Sequence, residues 1–94
     1  MKQDVYFIKS ITNYYGESIE DRSRWVGTEV FIDVLKIGQR CYLPKAIRSK
    51  NGFKHKTPAS HISTSMVEHI KELDGGGFLV ATYSGTCYEL QRVL

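Results

Sequence analysis

Apolar residues along this chain come in short clusters rich in Val, Ile, Tyr and Phe, divided by Gly, Asn, Asp and Ser, and that pattern predicts strands separated by turns. Residues 5–11 (VYFIKSI) form the first strand. Residues 12–24 are polar and lack a period, which predicts a loop or at most one helical turn. Residues 25–35 (WVGTEVFIDVL) hold the clearest alternation, with Val30, Ile32 and Val34 on one side and Glu29, Phe31, Asp33 and Leu35 on the other, so one face of this strand belongs to the core. Lys36, Ile37, Gly38 and Gln39 read as a turn into residues 40–43 (RCYL), a short strand ended by Pro44, and the two strands make a hairpin.

Between residues 45 and 60 the apolar content drops to Ala46, Ile47, Phe53 and Ala59, and the turn signals Asn51-Gly52 and Thr57-Pro58 appear. The segment is a long exposed loop or a hairpin tipped by Asn51-Gly52, the dipeptide that suits a type I′ turn; the hairpin is the preferred reading. It would carry Lys50, Lys54 and Lys56 on one projecting arm beside Phe53. Residues 62–73 (ISTSMVEHIKEL) fit two templates. Ser65 with Glu68 matches a capping box, and Met66, Val67, Ile70 and Leu73 share a helical face. The segment also runs through Asp74-Gly75-Gly76-Gly77 into residues 78–82 (FLVAT), a strand in need of a neighbour, and on that ground it is assigned as a strand. Tyr83-Ser84-Gly85 turns the chain into a last strand, residues 86–93, where Cys87, Glu89 and Gln91 alternate with Tyr88, Leu90 and Arg92. The expected fold is all-β: one domain of 94 residues built as a small, strongly bent antiparallel sheet or SH3-like barrel, with at most one short helix and a basic arm at about residues 44–61.

Composition changes this picture little: 41% hydrophobic with 12% aromatic residues suffices for a packed interior, and 24% charge argues against a disordered chain. Cys41 and Cys87 sit singly in apolar stretches and no secretory-type apolar run precedes them, which favours reduced, buried thiols in a cytoplasmic protein over a disulfide. No apolar run is long enough for a membrane span. His55, His61 and His69 lack the spacings of a zinc site, no nucleophile elbow is present, and the Asp74 to Gly77 glycines lack the Lys-Ser/Thr ending and helix of a phosphate loop. No catalytic residue, metal ligand or cofactor is therefore assigned, and the chain is read as a non-enzymatic binding module.

Charge carries the functional signal. Of thirteen Lys and Arg residues, seven lie between Val34 and Val67, a window without a carboxylate; the other six face all ten Asp and Glu. Segregation of this kind attracts anionic partners that a formal net charge of +3 would understate. Arg40, Lys45, Arg48, Lys50, Lys54 and Lys56 are the candidate phosphate contacts, with Phe53 and His55 among them and Tyr42 beside them as stacking surfaces. Nucleic acid bound without strong sequence preference is the partner this composition suits best, since no RNP, KH or helix-turn-helix signature accompanies it.

The C-terminal third, HISTSMVEHI followed by a glycine turn and FLVATYSGTCYEL, resembles a group of small uncharacterised bacterial and prophage proteins, with Thr64, Ser65, Thr82, Ser84 and Tyr88 at the shared positions. Where that group has Asn before the turn Ser, this chain has Tyr83, and Gly85 follows. The resemblance implies a β-rich fold and a phage or mobile-element origin, and no activity. It brings a second reading: an inhibitor that binds a host protein, defence systems included, through Tyr14, Tyr15, Arg24 and Trp25, residues with the composition of an interface hot spot. Trp25 alternatively caps the barrel core. A third reading sequesters an anionic nucleotide between Arg24 or Arg40 and Tyr88.

Overall fold

A computed structural model describes residues 4–50, 52 and 54–93. Six strands among them form an antiparallel barrel closed in chain order: β1 (Tyr6–Asn13), β2 (Glu29–Val30), β3 (Arg40–Arg48), β4 (Lys54–Glu72), β5 (Phe78–Thr82) and β6 (Thr86–Arg92), which returns to pair with β1. The all-β class expected from the sequence is thus what the chain adopts. The helical element among the described residues is a 3-10 turn, Glu20–Trp25, inside the stretch expected to be a loop or a single helical turn.

Alternation explains most of the interior. Thr86, Tyr88 and Leu90 of β6 point inward while Cys87 and Glu89 do not. Two strands break the period of two by bulges. In β1 the register slips between Ile8 and Ser10, so Ile8 and Ile11, three residues apart, both face the core. In β4 the register slips opposite Arg40 and Tyr42 and again between Val67 and His69, which turns Thr64, Val67 and the half-buried Ile70 to the same side. These bulges also bend the strand. Nineteen residues at about 3.3 Å each would reach about 60 Å if straight. The molecule is only 41 Å along its longest axis, so β4 must turn from one side of the barrel to the other.

Two expectations need correction. The strand read across residues 25–35 is regular only at Glu29–Val30, and Val34 adds a single bridge to Tyr42. Trp25 ends the 3-10 turn, and Val30 and Phe31, neighbours that strict alternation would send to opposite faces, are both buried. Burying both breaks the pleat. The segment still runs along β3, with the Phe31 and Asp33 N–H groups donating to the Pro44 and Tyr42 carbonyls and the Tyr42 N–H to the Val34 carbonyl, at 2.8 to 3.1 Å. Nor does Pro44 end β3. Its carbonyl points towards Phe31, and the position pairs with His61 where the ladder with β4 asks for no N–H from it, so the missing donor falls on the side of the β2 segment, the β4 ladder stays intact and the strand runs on to Arg48.

Residues 45–60 do form the preferred hairpin, with Ala46, Ile47 and Arg48 opposite Lys56, His55 and Lys54. The Gly52 N–H donates to the Ser49 carbonyl at 2.9 Å, and Gly52 takes φ 83°. Asn51 and Phe53 lie outside the described residues, so the type I′ assignment and the placement of Phe53 do too. The expected tip at Asp74 to Gly77 is the turn joining β4 to β5, where Leu73 N–H donates to the Gly77 carbonyl at 2.8 Å. Gly77 is required for space: a Cβ there would stand 2.4 Å from the Leu90 carbonyl oxygen. Gly75 is open, and only its φ of 87° opposes a side chain. Urea unfolding followed by Trp25 fluorescence is expected to show Gly75→Ala losing about 1 kcal/mol, and Gly77→Ala losing about 3 kcal/mol as the β5–β6 seam is forced apart.

Candidate anion-binding surface and the barrel ends

The basic segment occupies β3 and the first half of β4, and the antiparallel register decides which of its cations reach solvent. Lys54 and Lys56, on β4, extend across β3 to the carboxylates of Glu29 and Asp33 in the β2 segment, each forming an ion pair. The Lys54 side chain is only 19% exposed as a result. Two of the candidate phosphate contacts are thus engaged within the fold, by acidic residues that stand just outside the carboxylate-free window in sequence. Arg40, Lys45, Arg48 and Lys50 have no carboxylate within ion-pair distance among the described residues. Arg40, Arg48 and Lys50 are exposed and Lys45 is half-buried. His55 is exposed opposite Ile47.

Tyr42 and His61 are diagonal neighbours across the β3–β4 ladder, two residues offset, and their rings stack at 4.5 Å between centroids with 29° between planes. Arg40 lies beside them, its Nη1 donating to the Thr64 carbonyl at 3.4 Å. The result is a row of Arg40, the Tyr42–His61 stack and Arg48, leading to Lys50 in the arm, while Lys45, paired with the core residue Val30, lies on the other face of β3. His61 was absent from the candidate set. Its register opposite Pro44, beside Tyr42, depends on the irregular stretch of β4 after Lys56, and nothing in the sequence announces that shift.

One end of the barrel is filled by a polar cluster. The 3-10 turn sends Arg22 inward, where Nη1 donates to Thr86 Oγ1 at 2.9 Å and to the Tyr88 hydroxyl at 3.2 Å. Tyr88 is 1% exposed; burial pushes its phenol pKa up, and the Arg22 charge partly opposes that. Thr82 Oγ1 donates to the Thr86 carbonyl, accepts the Thr86 N–H and meets Ser84 Oγ, which in turn meets Ser65 Oγ. Thr64 Oγ1 accepts the Cys41 N–H at 3.0 Å. The positions singled out in the C-terminal third therefore gather into hydrogen-bonded groups that hold the fold. The structure does not bring the nucleotide-pocket residues together: Tyr88 is buried and bonded to Arg22, Arg40 lies on the outer wall, and Arg24 sits with its guanidinium 5.5 Å over the Trp25 ring. Trp25 is half-buried against the core, as the capping reading has it. Cys41 and Cys87 are both free thiols, and burial pushes the Cys41 pKa up to about 12.

Tyr14 and Tyr15 stay outside. Tyr15 is 90% exposed, and Tyr14, whose hydroxyl donates to the Thr82 carbonyl, stands near Glu68 and the exposed Met66 and Tyr83. At the opposite end of the barrel Tyr6, Ile32, Leu35, Ile70 and Phe78 surround an open apolar cup of about 380 Å³ with Asp4 at its rim. Among the described residues no cluster of His, Cys, Asp and Glu is arranged to hold a metal ion, and no helix is long and apolar enough to cross a membrane.

Fold and surface together define a small antiparallel β-barrel with a projecting basic hairpin. Set against known protein families, curated proteins and solved structures, the chain matches none.

The Arg22 cluster yields a direct test. Arg22→Ala leaves the buried Tyr88 hydroxyl without its donor and is expected to cost about 2 kcal/mol. Tyr88→Phe should cost measurably less in the Arg22→Ala background than in the wild type, in a double-mutant cycle read by denaturant unfolding.

Proposed function

We propose that this protein is a non-enzymatic binding module that contacts the backbone of single-stranded nucleic acid, without strong sequence preference, through the outer face of β3 and β4. The observation that carries the reading is the row of cations without ion-pair partners among the described residues, Arg40, Arg48 and Lys50, set beside the solvent-facing Tyr42–His61 stack. Cations along one face neutralise phosphates of a strand laid across it, and a ring pair on the same surface offers a base a stacking platform. The surface differs from the one expected from sequence in that Lys54 and Lys56 contribute least, because Glu29 and Asp33 already neutralise them. A cytoplasmic location suits two unpaired cysteines and access to nucleic acid.

A second reading, an inhibitor that docks on a host protein and has a phage or mobile-element origin, draws on the exposed cluster of Tyr14, Tyr15, Met66 and Tyr83. Large aromatic side chains left in water next to one another are the usual material of interface anchors. The two readings use different faces, so substitutions separate them.

Fluorescence anisotropy with labelled single-stranded RNA and DNA should give a log–log salt slope of about −2, the value for roughly three neutralised phosphates on a single strand. Arg48→Glu with Lys50→Glu is expected to weaken binding at least about tenfold, whereas Glu29→Gln, which frees Lys54, should tighten it by a few fold. Tyr15→Ala should leave it unchanged. Binding insensitive to salt, or lost in Tyr15→Ala and kept in the arm variants, would transfer the function to the aromatic face.

A further inference from the structure

The two edges of β4 differ. Along its first half β4 pairs only with β3, and β5 joins the other edge only from Val67 onward. Tyr42 directs both its backbone groups at the β2 segment, its N–H to Val34 and its carbonyl to Asp33, and the Pro44 carbonyl likewise takes the Phe31 N–H. In an antiparallel ladder the residues opposite them, Ser63 and His61, then form non-hydrogen-bonded pairs with β3 and point their own N–H and C=O groups the other way. No strand lies there among the described residues. The edge around His61 and Ser63 therefore presents two donors and two acceptors in the order a further strand would need.

Proteins blunt such edges with lysines, prolines and bulges. On β4 the lysines and the proline fall in the arm, at Lys54, Lys56 and Pro58, and the bulges flank the open edge, one between Lys56 and His61 and the next between Ser63 and Met66. From His61 to Ser63 none appears, although the side chains of His61 and Ser63 on the outer face are exposed. We infer that this edge docks an extended, acidic segment of a partner protein, which adds to the sheet as a strand in line with β5. Acidity follows from the surroundings: β4 carries no carboxylate from Lys54 to Val67, and the Arg40 guanidinium lies against the same stretch through the Thr64 carbonyl. A second copy of the chain would bring one cationic edge against another. A nucleic-acid backbone accepts from the N–H groups and offers the carbonyls no donor, so it satisfies only half of the edge. The inference is independent of the nucleic-acid reading, which uses side chains on the outer face.

The test uses a synthetic peptide of about eight residues alternating Glu and Val, its Lys and Val counterpart, and a labelled oligonucleotide. Amide exchange of the wild-type protein is followed by NMR. The acidic peptide is expected to slow exchange at His61 and Ser63 at least about tenfold at saturation. Ser63→Pro, which removes an edge donor without touching the ladder to β3, should weaken peptide binding about tenfold, and Ser63→Val should leave it intact. Three results would overturn the proposal: no protection of these two amides by the acidic peptide, equal protection by the Lys peptide, or protection that comes instead from the oligonucleotide or from self-association of the free protein. If Ser63→Pro does not fold, the exchange data on the wild-type chain decide.

Discussion

The bend of β4 is the constraint on which the rest of this molecule depends. One strand of nineteen residues belongs to both halves of the barrel, pairing with β3 before Val67 and with β5 after it. A regular strand cannot do this within a molecule of these dimensions, and the bulges supply both the curvature and the inward rotation of Thr64, Val67 and Ile70. The same strand overshoots the barrel at its start. That overshoot, paired with β3 as far as Arg48, is the basic arm, and the stretch where β4 has left the arm but not yet met β5 is the open edge.

Closing the barrel leaves polar groups inside, and the structure meets each with a partner. Arg22 enters from the 3-10 turn to serve the Tyr88 hydroxyl and Thr86, and Thr64 supplies its hydroxyl to the Cys41 N–H where the bulge draws the backbone acceptor away. Unpaired, these groups would each cost roughly 1–3 kcal/mol, a large fraction of the stability of a domain this small. The Thr and Ser residues that stand out in the C-terminal third thus have a structural account in hydrogen bonding, whatever surface the protein uses for its partner.

Where the period of two survives, the strands were legible: β5 and β6 lie where alternation and the flanking glycine turns place them. Where bulges intervene, the sequence misleads in a specific way. Inward positions three apart at Thr64, Val67 and the half-buried Ile70 imitate the spacing of a helix, and with Met66, Val67, Ile70 and Leu73 also sharing a helical face, residues 62–73 satisfied two templates; only the need of residues 78–82 for a neighbour settled the assignment. The adjacent burial of Val30 and Phe31 concealed that the second strand is short. The charged surface was legible in composition and not in pairing. Glu29 and Asp33 lie outside the carboxylate-free window yet close over Lys54 and Lys56, because neighbours across a sheet are distant along a chain. Arg22, half-buried and bonded to Tyr88, and His61, stacked on Tyr42, carried no sequence signal, since each owes its role to a register the chain sets elsewhere.

What remains exposed after these pairings is a cationic row on one face, an aromatic cluster near the Arg22 end and an apolar cup at the other. The proposed role rests on the first of these being the contact surface. NMR chemical-shift mapping with a single-stranded oligonucleotide tests it most directly. Perturbations concentrated at Arg40, Tyr42, Arg48, Lys50 and His61, with Tyr14, Tyr15 and Tyr83 unmoved, are the predicted result. Perturbations confined to the aromatic cluster, or none at low salt, would contradict it.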